Sequence, residues 1–185
     1  LAEAVKMSLT SDRELFELFE TGDIEKNLDE IIIRSLNIKK NVVEQDEREA
    51  GLRKILNFGH TFGHAVEADE NMHELYHGEC VALGMIPMCA EKLRPRLIRV
   101  LEKCDLYTAI DYNWEAIAKA AFHDKKADGD TVSVTIVNEV GSFEIKNNNF
   151  VVMYGDDIMD SNRNVAVTNK KRQVYKILFH IIKLR

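Results

Sequence analysis

Residues 49–85, EAGLRKILNFGHTFGHAVEADENMHELYHGECVALGM, decide both the fold and the chemistry of this chain. His60 and His64 are four residues apart, so on a helix both imidazoles emerge from one face. His77 opens the next predicted helix in the tripeptide HGE. Two neutral imidazoles and a carboxylate form a common open site for catalytic Zn²⁺, and imidazole suits Zn²⁺ or Co²⁺ better than Mg²⁺. Thr61 stands where the zinc-protease motif requires Glu, which excludes that class.

The helix that carries the first two histidines also presents groups suited to anions. Polar side chains recur along it at intervals of four, three and four residues, and they are Arg53, Asn57, His60 and His64. On one helix face they would form a surface for carboxylate or phosphate oxygens. Gly59 and Gly63, placed within this predicted helix, cost about 1 kcal/mol each relative to Ala. We expect the backbone there to approach a ligand or another helix closely.

Helical patterns dominate the first 125 residues, with short connections typical of a compact bundle. After a helical start at LAEAVKM, the predicted helices cover about 13–20, 24–45, 49–67, 78–93, 96–104 and 114–122. Asp12 is the predicted N-cap of the 13–20 helix, and Pro95 suits the first turn of the 96–104 helix. The apolar faces of the 13–20 and 24–45 helices are predicted to carry Leu15, Phe16, Phe19, Leu28, Ile31, Ile32 and Leu36.

The pattern changes after the helices. Residues 131–137 are rich in β-branched side chains and alternate between apolar and polar. A second strand-like segment, 142–145, follows Gly141, so the pattern predicts a hairpin that closes the helical domain. Residues 151–185 form a basic tail with a local charge of +4. We therefore predict a helical domain over 1–150 and a separate tail. The closing stretch VYKILFHIIKLR is interpreted as a helix packed on the bundle in preference to a membrane or partner surface.

Composition limits the classes of function. The 185 residues carry a formal charge of −6, which argues against a nucleic-acid binder, and no apolar run reaches the roughly 20 residues of a membrane span. Cys80, Cys89 and Cys104 form no CxxC pair, which favours free thiols in a reducing compartment and hence a cytoplasmic location. The chain begins at Leu1 without Met or a signal peptide, so we expect a fragment of a longer protein.

The deciding segment closely resembles the 3-dehydroquinate synthases of the shikimate pathway. The family pattern is Arg-x-x-Leu-Asn-x-Gly-His-(Ser/Thr)-x-Gly-His-Ala-x-Glu, followed by His-Gly-Glu-x-Val-x-x-Gly-Met. It stands here from Arg53 to Glu67 and from His77 to Met85. The match extends outward to AEAVK near the start, DERE before the first motif and HDKKADGD before the hairpin, over about residues 1 to 146.

The resemblance implies a mainly helical domain of the dehydroquinate synthase-like fold, with a small hairpin near 131–146. It also implies a set of site residues. The metal ligands would be Glu3, His60 and His77. The substrate-binding residues would be Lys6, Lys39, Arg53, Asn57 and one or both of Lys125 and Lys126, the last pair contacting phosphate. Glu49 and His64 would be the catalytic residues, on the acid–base and phosphate side of the site.

The activity implied by the resemblance converts 3-deoxy-D-arabino-heptulosonate 7-phosphate to 3-dehydroquinate and phosphate, with Zn²⁺ or Co²⁺ and catalytic NAD. Family members bind NAD in an amino-terminal α/β domain, whereas this chain has no G-x-G-x-x-G. We therefore expect the chain to supply the carboxyl-terminal domain, to be inactive alone, and to need a missing NAD-binding domain. The full enzyme is expected to be a homodimer that acts on a sugar phosphate, without nucleic acid or membrane partners.

Three alternatives stay open. One is another sugar-phosphate cyclase, such as a 2-deoxy-scyllo-inosose synthase, since only a carboxylate-bearing substrate needs Arg53 and Lys39 as counter-ions. The second is a glycerol dehydrogenase-like, metal-dependent alcohol dehydrogenase, which would not need Lys125 or Lys126. The third is a metal-binding domain without catalytic activity.

Overall fold

The computed structural model describes residues 1–68, 75–109 and 131–149, together with the backbone of three short strands between 152 and 167. The helices are α1 (Ala2–Ser11), α2 (Arg13–Thr21), α3 (Leu28–Gln45), a 3₁₀ helix (Leu52–Asn57), α4 (His60–Glu67), α5 (His77–Met88) and α6 (Arg94–Lys103). The strands are β1 (Thr131–Ile136), β2 (Glu144–Asn149), β3 (Val152–Tyr154), β4 (Asp157–Met159) and β5 (Val165–Val167). The mainly helical fold with a small hairpin is as the sequence predicts.

Helix α1 lies at the centre of the domain, packed against α2, α3, α5 and α6. Val5 and Leu9 on α1 are fully buried, as are Leu15, Phe16 and Phe19 on α2. Burying a side chain of this size contributes about 1.5–3 kcal/mol, so this interface supplies much of the stability of the domain. The apolar face predicted for the 13–20 helix is confirmed.

Asp12 joins three helices. Its backbone N–H donates to the Ser8 carbonyl oxygen at the end of α1, and its Oδ1 accepts the Leu15 N–H at 3.0 Å, which is the predicted N-cap of α2. The same carboxylate receives two guanidinium nitrogens of Arg34, with contacts from Nη2 at 2.7 and 2.8 Å and from Nε at 3.0 Å. A paired, charge-assisted contact of this kind fixes the orientation of α3 against the α1–α2 corner.

The predicted helix over about 49–67 is wrong as a single element. A 3₁₀ helix ends at Asn57, Gly59 adopts the left-handed region with φ of 79°, and α4 begins only at His60. The left-handed residue stops one helix before the other starts, because it turns the chain away from the helical path. Arg53 and Asn57 therefore do not share a helix face with the histidines. The sequence analysis had placed Gly59 inside a helix, whereas it lies between two helices.

Other helix bounds differ by a few residues. Helix α3 starts at Leu28, after a turn in which Asp23 Oδ1 accepts the Lys26 N–H. Helix α5 ends at Met88, short of the predicted 93, because Cys89 adopts an extended conformation and the next N–H, that of Ala90, donates to Val137 on the hairpin. Arg94 Nε donates to the carbonyl oxygens of Ile86 and Cys89, so the end of α5 is satisfied by a side chain.

The apolar stripe predicted for α3 is only partly buried. Ile31 is 1% exposed, whereas Leu28, Ile32 and Leu36 are 41%, 46% and 60% exposed among the residues that the structure describes. The predicted core position at Ile31 is confirmed, and the wider stripe is not covered within this part of the chain. The predicted helix over 114–122 lies outside the described residues.

The hairpin is tied to the helices on two sides. Strands β1 and β2 pair antiparallel, with Ile136 opposite Glu144. The Val137 N–H donates to the Met88 carbonyl oxygen, and the Ala90 N–H donates to the Val137 carbonyl oxygen at 2.8 Å. Thr135 Oγ1 donates to the Lys54 carbonyl oxygen at 2.9 Å, which connects β1 to the 3₁₀ helix. The hairpin thus closes the helical domain, as expected.

Within the predicted tail, β3, β4 and β5 form a three-stranded antiparallel sheet in the order β3-β4-β5. The sequence analysis had not predicted strands there. The predicted closing helix over 174–185 lies outside the described residues, and the boundary at 150 stays a prediction. Among the described helices, none is both long and apolar enough to cross a membrane.

Candidate metal centre

Three histidines converge where α4 meets the start of α5. His60 and His64 lie one turn apart on α4, and His77 is the first residue of α5. One ring nitrogen from each lies within 4.8 Å of those of the other two. The ring centroid of His60 lies 5.3 Å from that of His64 and 5.4 Å from that of His77. The two histidines four residues apart and the histidine of the separate HGE motif therefore lie in one cluster.

Glycines bring the two helices close enough for this convergence. A Cβ on Gly84 of α5 would overlap the carbonyl oxygen of Gly59 and would lie 2.8 Å from the Gly63 nitrogen. A Cβ on Gly63 of α4 would lie 2.9 Å from the Cys80 carbonyl oxygen. Real side chains do not approach backbone atoms this closely, so α4 and α5 can come this near only because Gly63 and Gly84 have no side chain at the contact. The expectation that these glycines permit close backbone approach to another helix is confirmed.

Contacts at Nδ1 leave the Nε2 atoms of two histidines available. His60 Nδ1 lies 3.2 Å from the Phe58 carbonyl oxygen, and its Nε2 lies 3.7 Å from Glu3 Oε1. His77 Nδ1 lies 3.1 Å from Glu67 Oε2. A neutral imidazole carries one N–H, so a hydrogen bond from Nδ1 to an oxygen leaves the Nε2 lone pair free for a metal. Both histidines thus have the arrangement typical of metal ligands.

The imidazole of His60 is held in its neutral form. Burial first, and then the positive charge of Lys6, lower the pKa of His60 to about 4 against the opposing effects of the Phe58 carbonyl oxygen and Glu3. At neutral pH the ring therefore carries a free lone pair. Metal binding requires the neutral ring, so the site does not have to release a proton from His60 when an ion binds.

Glu3 is held beside His60 by a buried lysine. Lys6 Nζ donates to Glu3 Oε2 at 2.7 Å and to the Leu56 carbonyl oxygen at 2.6 Å, and the lysine is 2% exposed. Burial lowers the pKa of Lys6, and Lys39 lowers it further, whereas Glu3 opposes the shift. The lysine predicted to bind substrate is thus in contact with the predicted metal ligand. Its role toward substrate stays a prediction.

The residues present fit a divalent metal. In a tetrahedral site, nitrogen and oxygen ligands about 2.0–2.2 Å from Zn²⁺ lie roughly 3.4 Å from each other. The 3.7 Å between His60 Nε2 and Glu3 Oε1 is close to that separation. With His77 they offer two imidazoles and one carboxylate, which is a donor set suited to Zn²⁺ or Co²⁺. His64 lies beside them as an exposed side chain.

A second group of site residues lies on the 3₁₀ helix and on the loop before it. On the loop, Glu49 adopts a left-handed conformation with φ of 56°, and its Oε1 accepts a hydrogen bond from Asn57 Nδ2 at 2.7 Å. Arg53 Nη1 donates to the Glu47 carbonyl oxygen at 2.8 Å. The structure therefore joins both Asn57 and Arg53, on the 3₁₀ helix, to the preceding loop. A non-glycine residue at positive φ is uncommon and is often found at functional sites.

Asp46 shapes this loop, and the sequence analysis had assigned it no role. Its carboxylate accepts the N–H groups of Ala50 and Gly51, each at 2.8 Å, and of Arg53 at 2.9 Å. These hydrogen bonds, the one from Arg53 first, lower the pKa of Asp46. The DERE motif contained Asp46, but nothing local in the sequence shows that one carboxylate binds three N–H groups. Glu67 was also missed, although it follows His64 by three residues on the same helix face.

Three lysines complete the set of predicted site residues. Lys39 is exposed on α3, close enough to Lys6 to affect its pKa. Lys125 and Lys126 lie outside the described residues, so their predicted contact with phosphate is untested.

A family model described as 3-dehydroquinate synthase C-terminal matches residues 1–127. This chain belongs to the 3-dehydroquinate synthase family. A 3-dehydroquinate synthase of Campylobacter concisus is 40% identical over 158 residues, which cover 80% of this chain and 46% of that protein. The Helicobacter pylori (strain 26695) enzyme is 37% identical over 157 residues, 78% of this chain and 45% of that protein. The chain spans about half the length of the curated relatives it matches.

Two solved structures share the fold of this chain. ValA, a 2-epi-5-epi-valiolone synthase from Streptomyces hygroscopicus with NAD⁺ and Zn²⁺ bound, matches with a TM-score of 0.68 at 22% identity. The match covers 80% of this chain and 46% of ValA. A 2-deoxy-scyllo-inosose synthase in complex with carbaglucose-6-phosphate, NAD⁺ and Co²⁺ matches with a TM-score of 0.64 at 21% identity, over 98% of this chain and 49% of that one. At these identities the similarity shows the dehydroquinate synthase-like fold.

Proposed function

We propose that this chain forms the metal- and substrate-binding part of a 3-dehydroquinate synthase, a lyase that converts 3-deoxy-D-arabino-heptulosonate 7-phosphate to 3-dehydroquinate and phosphate. The observation that supports the proposal is the cluster of His60, His64 and His77, with the Glu3 carboxylate 3.7 Å from His60 Nε2. The sequence relatives that are 37–40% identical carry this name and favour it over other cyclases, which match at 21–22%.

In this proposal Glu3, His60 and His77 hold Zn²⁺ or Co²⁺, and Lys6 fixes the Glu3 carboxylate. When bound, the metal would polarise a substrate hydroxyl and NAD would transiently accept and then return a hydride, so that neither is consumed. The sugar phosphate releases inorganic phosphate during the reaction. An amino-terminal domain would bind the NAD, as the family resemblance implies, and two solved structures of this fold have NAD⁺ bound.

The segment from Asp46 to Asn57, which includes the 3₁₀ helix, would bind the polar groups of the substrate. Arg53 offers a guanidinium fork that matches a carboxylate, with Lys39 as a second cation. Glu49 and Asn57, already joined by a hydrogen bond, would contact hydroxyl groups or move a proton at them. His64 lies beside the two predicted histidine ligands, where its ring could bind the phosphate group of the substrate or exchange a proton. Lys125 and Lys126 would add positive charge near the departing phosphate.

The proposal also covers the location and assembly of the enzyme. Cys80, Cys89 and Cys104 are all free and buried, which supports a reducing, cytoplasmic environment. A homodimer of the full enzyme is proposed from the family resemblance alone.

A calorimetric titration of Zn²⁺ into the metal-stripped chain tests the proposal. We expect one tight site in the wild type and none in His60→Ala, with Lys92→Ala, an exposed residue paired with Glu139, as the control that keeps it. An assay for phosphate release after addition of an amino-terminal NAD-binding domain from a relative would follow. Equal Zn²⁺ affinity in His60→Ala would show that the ligand assignment is wrong.

A further inference from the structure

Glu67 is the last residue of α4, and its carboxylate faces the first residue of α5. Its Oε2 lies 3.1 Å from His77 Nδ1, and the two side chains are 43% and 47% exposed. The contact spans the gap between the two helices that carry the histidine cluster. Among the described residues, Glu67 is the carboxylate that contacts Nδ1 of a histidine in the cluster.

The two predicted histidine ligands are oriented in different ways. His60 is 15% exposed, and a backbone carbonyl oxygen meets its Nδ1, so packing and the main chain fix its ring. His77 is exposed and stands at a helix start, where little packing restrains the ring. A ring in that position can rotate or change tautomer unless a side chain holds it.

We propose that Glu67 is a positioning residue of the metal centre: its carboxylate accepts the Nδ1–H of His77 and so keeps Nε2 as the metal-facing nitrogen. The inference rests on the metal centre of the proposed function and adds a residue to which that proposal gives no role. A carboxylate is the strongest neutral-pH acceptor among the side chains, and such outer partners orient ligand rings and raise their basicity.

A titration of Co²⁺ followed by visible absorption tests the role of Glu67 in the full chain. In Glu67→Ala we expect an affinity about 10–100-fold lower than in the wild type, together with a changed absorption band, because outer-shell partners have effects of this size. In Glu67→Gln we expect a smaller loss and a wild-type band, since the amide oxygen still accepts the Nδ1–H. Glu91→Gln, at an exposed site between α5 and α6, matches the loss of one negative charge and should bind as the wild type does.

Thermal unfolding of the metal-free variants separates positioning from a structural role. We expect the same unfolding temperature in the wild type, Glu67→Ala and Glu67→Gln, because the side chain is half exposed. Wild-type affinity and absorption in Glu67→Ala would overturn the inference while leaving the metal centre intact. A lower unfolding temperature in Glu67→Ala that accounts for its weaker binding, with no rescue by Glu67→Gln, would also overturn it. Failure of the wild type to bind Co²⁺ would instead refute the proposed function.

Discussion

The buried and exposed sides of the candidate metal centre are built by different means. On the buried side, Lys6 and His60 are held by packing and by backbone carbonyl oxygens, and the buried Lys6 ammonium fixes Glu3, whose own side chain is 48% exposed. On the exposed side, His77 meets the Glu67 carboxylate, and both side chains are nearly half exposed. The difference shows that one half of the centre depends on the core of the domain, whereas the other depends on a single surface contact.

Removal of either histidine ligand should have the largest effect. His60→Ala and His77→Ala are each expected to abolish tight Zn²⁺ binding, because catalytic zinc sites use three protein ligands and each change leaves two of the proposed three. Only His60→Ala should also lower the unfolding temperature of the metal-free chain, since it removes a largely buried ring. Calorimetry with Zn²⁺ and thermal unfolding without it measure the two effects. Equal destabilisation by both changes would contradict the contrast between the two sides.

Gly84→Ala should break the contact on which both sides depend. The added methyl group would overlap the Gly59 carbonyl oxygen, so α4 and α5 would have to move apart. We expect a loss of about 1–3 kcal/mol or more in the free energy of unfolding, as for overpacked cores, together with weaker metal binding.

Gly78→Ala is the matched control for that change. It lies on the same helix, but its Cβ would meet only Ala2 Cβ at an ordinary 3.5 Å. Denaturant unfolding should therefore leave Gly78→Ala as stable as the wild type or slightly more so, because Ala favours the helix. Comparable losses in both variants would show that the close approach of α4 and α5 is not what makes Gly84 necessary.

Arg53→Ala extends the comparison to the 3₁₀ helix. We expect substrate affinity of the reconstituted enzyme to fall by at least tenfold, with little change in the unfolding temperature, because the Arg53 side chain is partly exposed. Binding of substrate measured by calorimetry, beside thermal unfolding, decides this. Unchanged affinity with a large loss of stability would make Arg53 structural.

The smallest effect concerns protonation on the buried side. Burial lowers the pKa of His60 to about 4, against an ordinary value of 6.5, so the unfolded chain binds the proton more readily. The contribution of His60 to folding is therefore favourable above pH 6.5 and is lost as the pH falls toward 4. An NMR titration of the metal-free chain should show the His60 ring neutral at pH 6. A midpoint near 6.5 would mean that the ring is not buried in solution.

Much of the fold and site could be predicted from local patterns. The apolar spacing of α2, the cap at Asp12, the alternation of β1 and the histidine motifs each depend on residues close in sequence. The single helix predicted over 49–67 failed because Gly59 adopts a left-handed conformation and Asp46 binds the N–H groups of the loop. Neither effect has a strong local signal, since an amphipathic spacing of four, three and four residues also occurs in segments that are not one helix.

The sequence by itself determined the family, the helical class and the chemical types of the site, because motif residues and periodic patterns can be identified without knowing their neighbours. Tertiary structure alone decided that Lys6 is buried against the Leu56 carbonyl oxygen, that Glu67 meets His77, and that Gly84 lies against Gly59. These contacts join residues from different segments of the chain, so their distances depend on how the whole domain packs. In the proposed metal centre, the contact with Glu67 sets the nitrogen that His77 offers to the metal.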